Sequence, residues 1–104
     1  MDPTKRQKLE AAGWKVGTVA EFLQLTPEEE AIVEIRVALS KSLKKLRQQE
    51  QLSQQKLAEK TNSSQSRVAK MEAADRSVSI DLLIKSLLSL GATREEIAAA
   101  IAGE

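Results

Sequence analysis

The chain contains no His, no Cys and no Tyr, and only one Trp and one Phe. Without imidazole or thiol it cannot build a zinc finger, a haem-attachment site, a cysteine protease or a Ser-His-Asp triad. Disulfides are excluded, so nothing points to an oxidising compartment. A metal would have to bind through oxygens alone, and no carboxylate loop with a turn glycine is present. No Gly-rich phosphate loop occurs either. The expectation is therefore no cofactor, no metal and no enzyme. No apolar run approaches the roughly 18 residues that span a membrane. Behind Met1-Asp2-Pro3-Thr4-Lys5-Arg6 there is no apolar stretch of the kind a signal peptide needs. A soluble cytoplasmic protein is the expectation. With so few aromatics the core must consist of Leu, Ile, Val and Ala, which favours helices over sheets. The 104 residues amount to one domain.

What is present is charge, and its distribution matters more than its sum. The formal net charge is +1, which argues against a nucleic-acid partner at first sight. Residues 40–72, however, hold eight bases (Lys41, Lys44, Lys45, Arg47, Lys56, Lys60, Arg67, Lys70) against three acids (Glu50, Glu59, Glu72). Each flank carries a surplus of two acids. A basic centre between mildly acidic arms suits a polyanion. For Lys41, Lys44 and Lys45 a solvated helix face is the preferred reading.

Apolar spacing and cap residues divide the chain into helices. Residues 5–12 have a short helical tendency. Gly13-Trp14-Lys15-Val16-Gly17 reads as a short strand or an extended linker. Thr18-Val19-Ala20-Glu21 fits a capping box, with Val19, Phe22 and Leu23 on the inner side of a short helix. Thr26-Pro27-Glu28-Glu29 is the strongest helix start, with a cap at Thr26, Pro at the first helical position and Glu29 closing the box. From there Ile32, Ile35, Leu39, Leu43 and Leu46 recur at helical spacing to about Gln49. Ser53 caps a helix holding Leu57 and Ala58 that ends near Lys60. Thr61-Asn62-Ser63 is a turn in which Asn tolerates a left-handed conformation. Ser64 caps a helix with Val68 and Met71 inward, ending near Ala73. Ser79 caps a helix over Ile80 to Leu90, in which Leu83, Leu87, Leu88 and Leu90 are expected to be buried, and Gly91 stops it. Thr93-Arg94-Glu95-Glu96 opens a last helix with Ile97 and Ile101. The expected fold is all-α: an arm over 1–26 and a helical domain over 27–104.

Residues Leu52 to Glu72 have the layout of a helix-turn-helix. Ala58 must be small where the two helices cross, and Leu57, Val68 and Met71 must be apolar to fix the crossing angle. The outer face of the second helix must be polar and free of acids to enter a groove lined with phosphates. Gln65, Ser66, Arg67, Ala69 and Lys70 meet that demand.

Leu46-Arg47, Leu52-Ser53-Gln54-Gln55-Lys56-Leu57-Ala58 and Ser64-Gln65-Ser66-Arg67-Val68-Ala69-Lys70-Met71-Glu72 resemble the Xre family of phage-repressor-like helix-turn-helix proteins. Ser79 to Gly91 resembles the helix that follows in that family, so the likeness covers about residues 38–92. The resemblance implies a five-helix repressor-like domain that binds palindromic operator DNA, usually as a homodimer. It places the second helix in the major groove, with Gln65, Ser66 and Lys70 reaching base edges. It assigns Gln54 to a phosphate and makes Gln55, Ser64 and Arg67 further phosphate contacts, which set register. Arg47 and Glu72 match positions that often pair as a structural ion pair. The sequence departs from the family pattern at Thr61 and Ser63, usually apolar, at Asn62, usually Gly, and at Ala73-Ala74, often Asn-Gly. The last departure puts backbone–phosphate contacts of that loop in doubt.

The arm of residues 1–26 resembles the N-terminal extensions of HigA-like antitoxins. In those proteins an Xre domain represses its own operon and neutralises a RelE-like ribonuclease toxin. The alternative is a stand-alone Xre-family repressor. For the partner or dimer surface, the candidates are Leu87, Leu88, Ile97 and Ile101 in the last helices and Trp14 and Val16 in the arm. No membrane partner is expected.

Overall fold

A Ser or Thr stands before every helix among the described residues, and each makes the same local bond. The structure is a computed structural model and describes residues 25–104. The helices are α1 (Pro27–Gln49), α2 (Gln54–Lys60), α3 (Gln65–Glu72), α4 (Ile80–Ser89) and α5 (Arg94–Ala102). The fold is all-α, with no strand among the described residues. The expectations for Trp14, Val16 and the Thr18 capping box lie outside the described residues. Thr26, Ser53, Ser64, Ser79 and Thr93 each accept a bond from the backbone N–H three residues on, at 3.1 Å. Glu29 and Glu96 return the bond to the cap backbone, completing two capping boxes. Each start is thus specified by four consecutive residues, without help from the rest of the chain.

The helix ends follow one rule as well. Gln51, Asn62, Ala74, Gly91 and Gly103 all have positive φ, between 52° and 92°. The next N–H turns back to the carbonyl five residues earlier: Leu52 to Arg47, Ser63 to Ala58, Asp75 to Lys70, Ala92 to Leu87 and Glu104 to Ala99. This is the Schellman arrangement, and it satisfies carbonyls that a helix end would otherwise leave open. The two glycines adopt it freely; a residue with a Cβ does so at a cost of about 1–2 kcal/mol. Ala74→Gly should therefore stabilise the fold by about 0.5–1 kcal/mol after the extra backbone entropy of glycine is subtracted. A higher urea midpoint at unchanged slope would show this, and a lower midpoint would contradict it.

The chain divides into two compact units, residues 1–33 and 34–104. In the second, α2 packs directly on α3 and α4 on α5. Leu39, Leu43, Leu57, Ala58, Val68, Met71, Val78, Leu83, Leu87, Leu90 and Ile97 form its core. Ile35 and Leu46 pack against this core, whereas Ile32, at the head of the expected stripe, is exposed. Leu88 corrects the expectation of burial: it is 48% exposed. Leu83 and Leu87, four residues apart, occupy the inner face of α4, and Leu90, three residues on at its C-cap, is buried with them. Leu88 follows Leu87 by one residue and is rotated about 100° away from that face. Ser86 is fully buried instead, and its hydroxyl donates to the Met71 sulfur at 3.3 Å.

Candidate DNA interface

The segment α2–turn–α3 is held by Leu57, Ala58, Val68 and Met71, all at most 1% exposed. Leu57, Val68 and Met71 fill the space between the two helices and the rest of the core, and Ala58 brings no bulk to the crossing. The turn is Thr61-Asn62-Ser63, with Asn62 at φ 52°. Thr61 fits this polar position because its hydroxyl donates to the Leu57 carbonyl at 2.9 Å. The Ser63 hydroxyl is buried and has no hydrogen-bond partner among the described residues.

This packing leaves the other side of α3 open. Gln65, Ser66, Arg67, Ala69 and Lys70 are all exposed, as are Gln55 and Ser64. None of these residues is acidic. Ser64 is engaged as the cap of α3 and Arg67 supplies the capped N–H, so both are fixed at the start of the helix. A shallow open depression of about 280 Å³ runs beside α3, lined by Ser64, Ser66, Arg67, Lys70, Ser77 and Val78. Ser77 and Val78 come from the loop between α3 and α4 and carry no local motif that marks them in the sequence.

The acids near this face are engaged. Glu72, the last residue of α3, has a side chain only 4% exposed. Its carboxylate receives Arg47 Nε at 2.5 Å and Arg47 Nη2 at 3.0 Å, a bidentate pair. Arg47 Nη1 donates to the Leu52 carbonyl at 2.7 Å. One guanidinium from α1 thus joins the entry of α2 to the end of α3. Gln54, half-buried at the first position of α2, donates from Nε2 to Glu72 Oε1 at 3.3 Å. In the loop after α3, hydrogen bonds from Ser77, side chain and then backbone, hold the Asp75 carboxyl below its usual range. The Ser77 N–H reaches Asp75 Oδ1 at 2.8 Å.

Helix-turn-helix proteins in general enter the major groove with a polar helix face of this kind. The helix-turn-helix family model, of the Xre-like type, matches residues 43–97. That is more than half of the chain. The chain belongs to the Xre-like helix-turn-helix family. It is accordingly a DNA-binding transcriptional regulator. No curated protein and no solved structure matches it. The matched span covers α2, α3 and α4 entirely and leaves the first part of α1 outside. No helix among the described residues is long and apolar enough to cross a membrane. No group of acidic residues among them is arranged to hold a metal ion.

The residues expected at a partner surface separate into two groups. Leu87 and Ile97 are 2% and 7% exposed and belong to the core of the second unit, so they are corrected as contact residues. Their positions on the inner faces of α4 and α5 account for this. Leu88 and Ile101 are 48% and 41% exposed and remain available. Trp14 and Val16 lie outside the described residues. One tie escaped sequence reasoning altogether: Arg36 donates from Nε to the Val78 carbonyl at 3.3 Å, fixing the loop beside α3 from α1. A backbone carbonyl 42 positions away leaves no mark in the residue pattern.

Proposed function

We propose that this regulator binds a palindromic operator sequence-specifically as a homodimer, and that it acts in the cytoplasm as the autorepressing antitoxin of a type II pair. The observation that carries the first part is the exposed, acid-free face of α3 beside a depression lined by Arg67, Lys70 and three Ser residues. In this reading Gln65, Ser66 and Lys70 read base edges, Gln pairing bidentately with adenine and Lys with guanine. Gln54, Gln55, Ser64 and Arg67 hold phosphates and set the register. One monomer offers too small a surface for tight specific binding, and a dimer reads two half-sites about one helical turn apart. Leu88 and Ile101 supply exposed apolar area for the second copy. The antitoxin role rests on the likeness of residues 1–26 to HigA-like extensions, and a RelE-like toxin is the partner it implies.

Two substitutions separate base reading from phosphate holding. Gln65→Ala should cost about 1–3 kcal/mol on the operator and relax its specificity. Equal losses on operator and random duplex would show that Gln65 only positions. Arg67→Ala should weaken binding to all sequences and flatten the dependence on salt by one phosphate contact. An unchanged salt slope would contradict that role. A gel shift with the DNA upstream of the protein's own gene tests autorepression. Co-purification with the product of a short adjacent reading frame tests the antitoxin role, and deletion of residues 1–24 should abolish that complex while sparing DNA binding. A shift without a toxin complex would leave a stand-alone repressor.

A further inference from the structure

α4 buries one face and leaves a second apolar row partly uncovered. Leu83, Ser86 and Leu87 face the core. Ile80, Ile84 and Leu88 recur every four residues along the same helix. Such a row is a ridge on the helix surface, the unit that packs into the grooves of another helix. Ile80 and Ile84 are half-buried where the ridge leans on the core, and Leu88 is exposed. On one side the ridge is flanked by the buried Leu83 and Leu87. On the other it is flanked by Asp81 and Lys85, both exposed. These two stand four residues apart, acid first, the order that favours a pair within a helix. Among the described residues neither makes an ion pair, whereas Arg47 with Glu72 and Lys56 with Glu59 do. Two opposite charges beside an uncovered apolar ridge are therefore open to a partner.

We propose that this face packs on the same face of a second copy of the chain, α4 against α4 in antiparallel, about a twofold axis at Ile84. The inference rests on the homodimer reading given above and names its contact surface. A twofold axis makes each contact occur twice, so the surface must complement itself. Ile84 then meets Ile84 of the second copy, and Ile80 meets Leu88. The charges choose the direction. In parallel, Asp81 would face Asp81 and Lys85 would face Lys85, two repulsions. In antiparallel, each Asp81 comes beside Lys85 of the other copy, two attractions. Ser89, next in the flanking row, is neutral and opposes neither. A helix of ten residues is about 15 Å long, so the contact falls short of the about 1,200–2,000 Å² of a stable interface. Dimers should therefore form at high protein concentration and dissociate on dilution.

Sedimentation equilibrium of the full chain at low salt, where exposed charges are least screened, reads the dimer constant. Circular dichroism melts confirm the fold of every variant. Asp81→Lys puts four bases and no acid at the contact, and Lys85→Asp puts four acids there. Each should weaken association by about tenfold or more. An equal mixture of the two variants should recover it to within about threefold, because every base then faces an acid. The double variant Asp81→Lys/Lys85→Asp restores the same pairs in reverse and should dimerise like the starting protein. Leu88→Ala should weaken association by about tenfold, and more than Ile101→Ala does. Single charge variants that associate like the starting protein would overturn the α4 register. A dimer lost with Ile101→Ala and kept with Leu88→Ala would place the contact on α5, overturning this surface while the homodimer reading stands. Monomer at every concentration up to about 1 mM would overturn the surface and the homodimer reading together.

Discussion

Glu72→Ala should destabilise the protein by about 3–5 kcal/mol, the cost of leaving a buried charge without its partner. Against a typical total of about 5–15 kcal/mol, that is a large share of the stability. The reason lies in what Arg47 would lose. Its side chain is 13% exposed, and two of its three hydrogen bonds go to Glu72. Ala at position 72 leaves a guanidinium that solvent reaches poorly, with only the Leu52 carbonyl to hold it. Arg47→Met/Glu72→Met should be far milder, near neutral, because no charge remains to be buried. Urea unfolding of the two variants side by side measures the contrast. A loss below about 1 kcal/mol for Glu72→Ala would mean that the pair behaves like an exposed surface bridge.

Leu57→Ala should cost about 2–5 kcal/mol, through lost burial and the cavity left behind. Leu57 is fully buried between α2, α3 and the core. Its backbone also anchors the turn, since its carbonyl accepts both the Thr61 N–H at 3.0 Å and the Thr61 hydroxyl at 2.9 Å. A cavity there loosens the crossing that presents α3. Leu88→Ala is the natural control. It removes the same atoms from an exposed position on α4 and should change monomer stability by no more than about 0.5 kcal/mol. If Leu88→Ala proved as costly as Leu57→Ala in dilute protein, Leu88 would be buried in solution, and an assembly formed through it would be the cause.

The helix starts and most of the core were legible in the residue pattern because they are decided locally. Ser53, Ser64, Ser79 and Thr93 bond to an N–H three positions on, and no distant residue can change that choice. Asn62 and Gly91 announce helix ends because both residue types accept positive φ. Gln51 and Ala74 do not announce theirs: an ordinary side chain in that conformation is forced by the Schellman bonds around it. The misreading of Leu88 has a similar origin. Leu87 and Leu88 are adjacent and equally apolar, and only the register of α4 on the core decides which faces inward. The candidate site divides along the same line. The acid-free run Gln65 to Lys70 is a property of six consecutive residues. The tie from Gln54 to Glu72, the Arg36 bond to the Val78 carbonyl and the place of Ser77 beside α3 are tertiary. They depend on how α1, α2 and the α3–α4 loop meet, which no local spacing encodes.

The most direct test of sequence-specific DNA binding is selection from a random duplex library by the purified full-length protein at physiological salt. One palindrome should be enriched, with half-sites about 10–10.5 base pairs apart centre to centre or a multiple of that. The same selection with Gln65→Ala should relax the preference at one position of each half-site. A library that emerges unenriched, or binding that tracks salt alone and is indifferent to sequence, would contradict it.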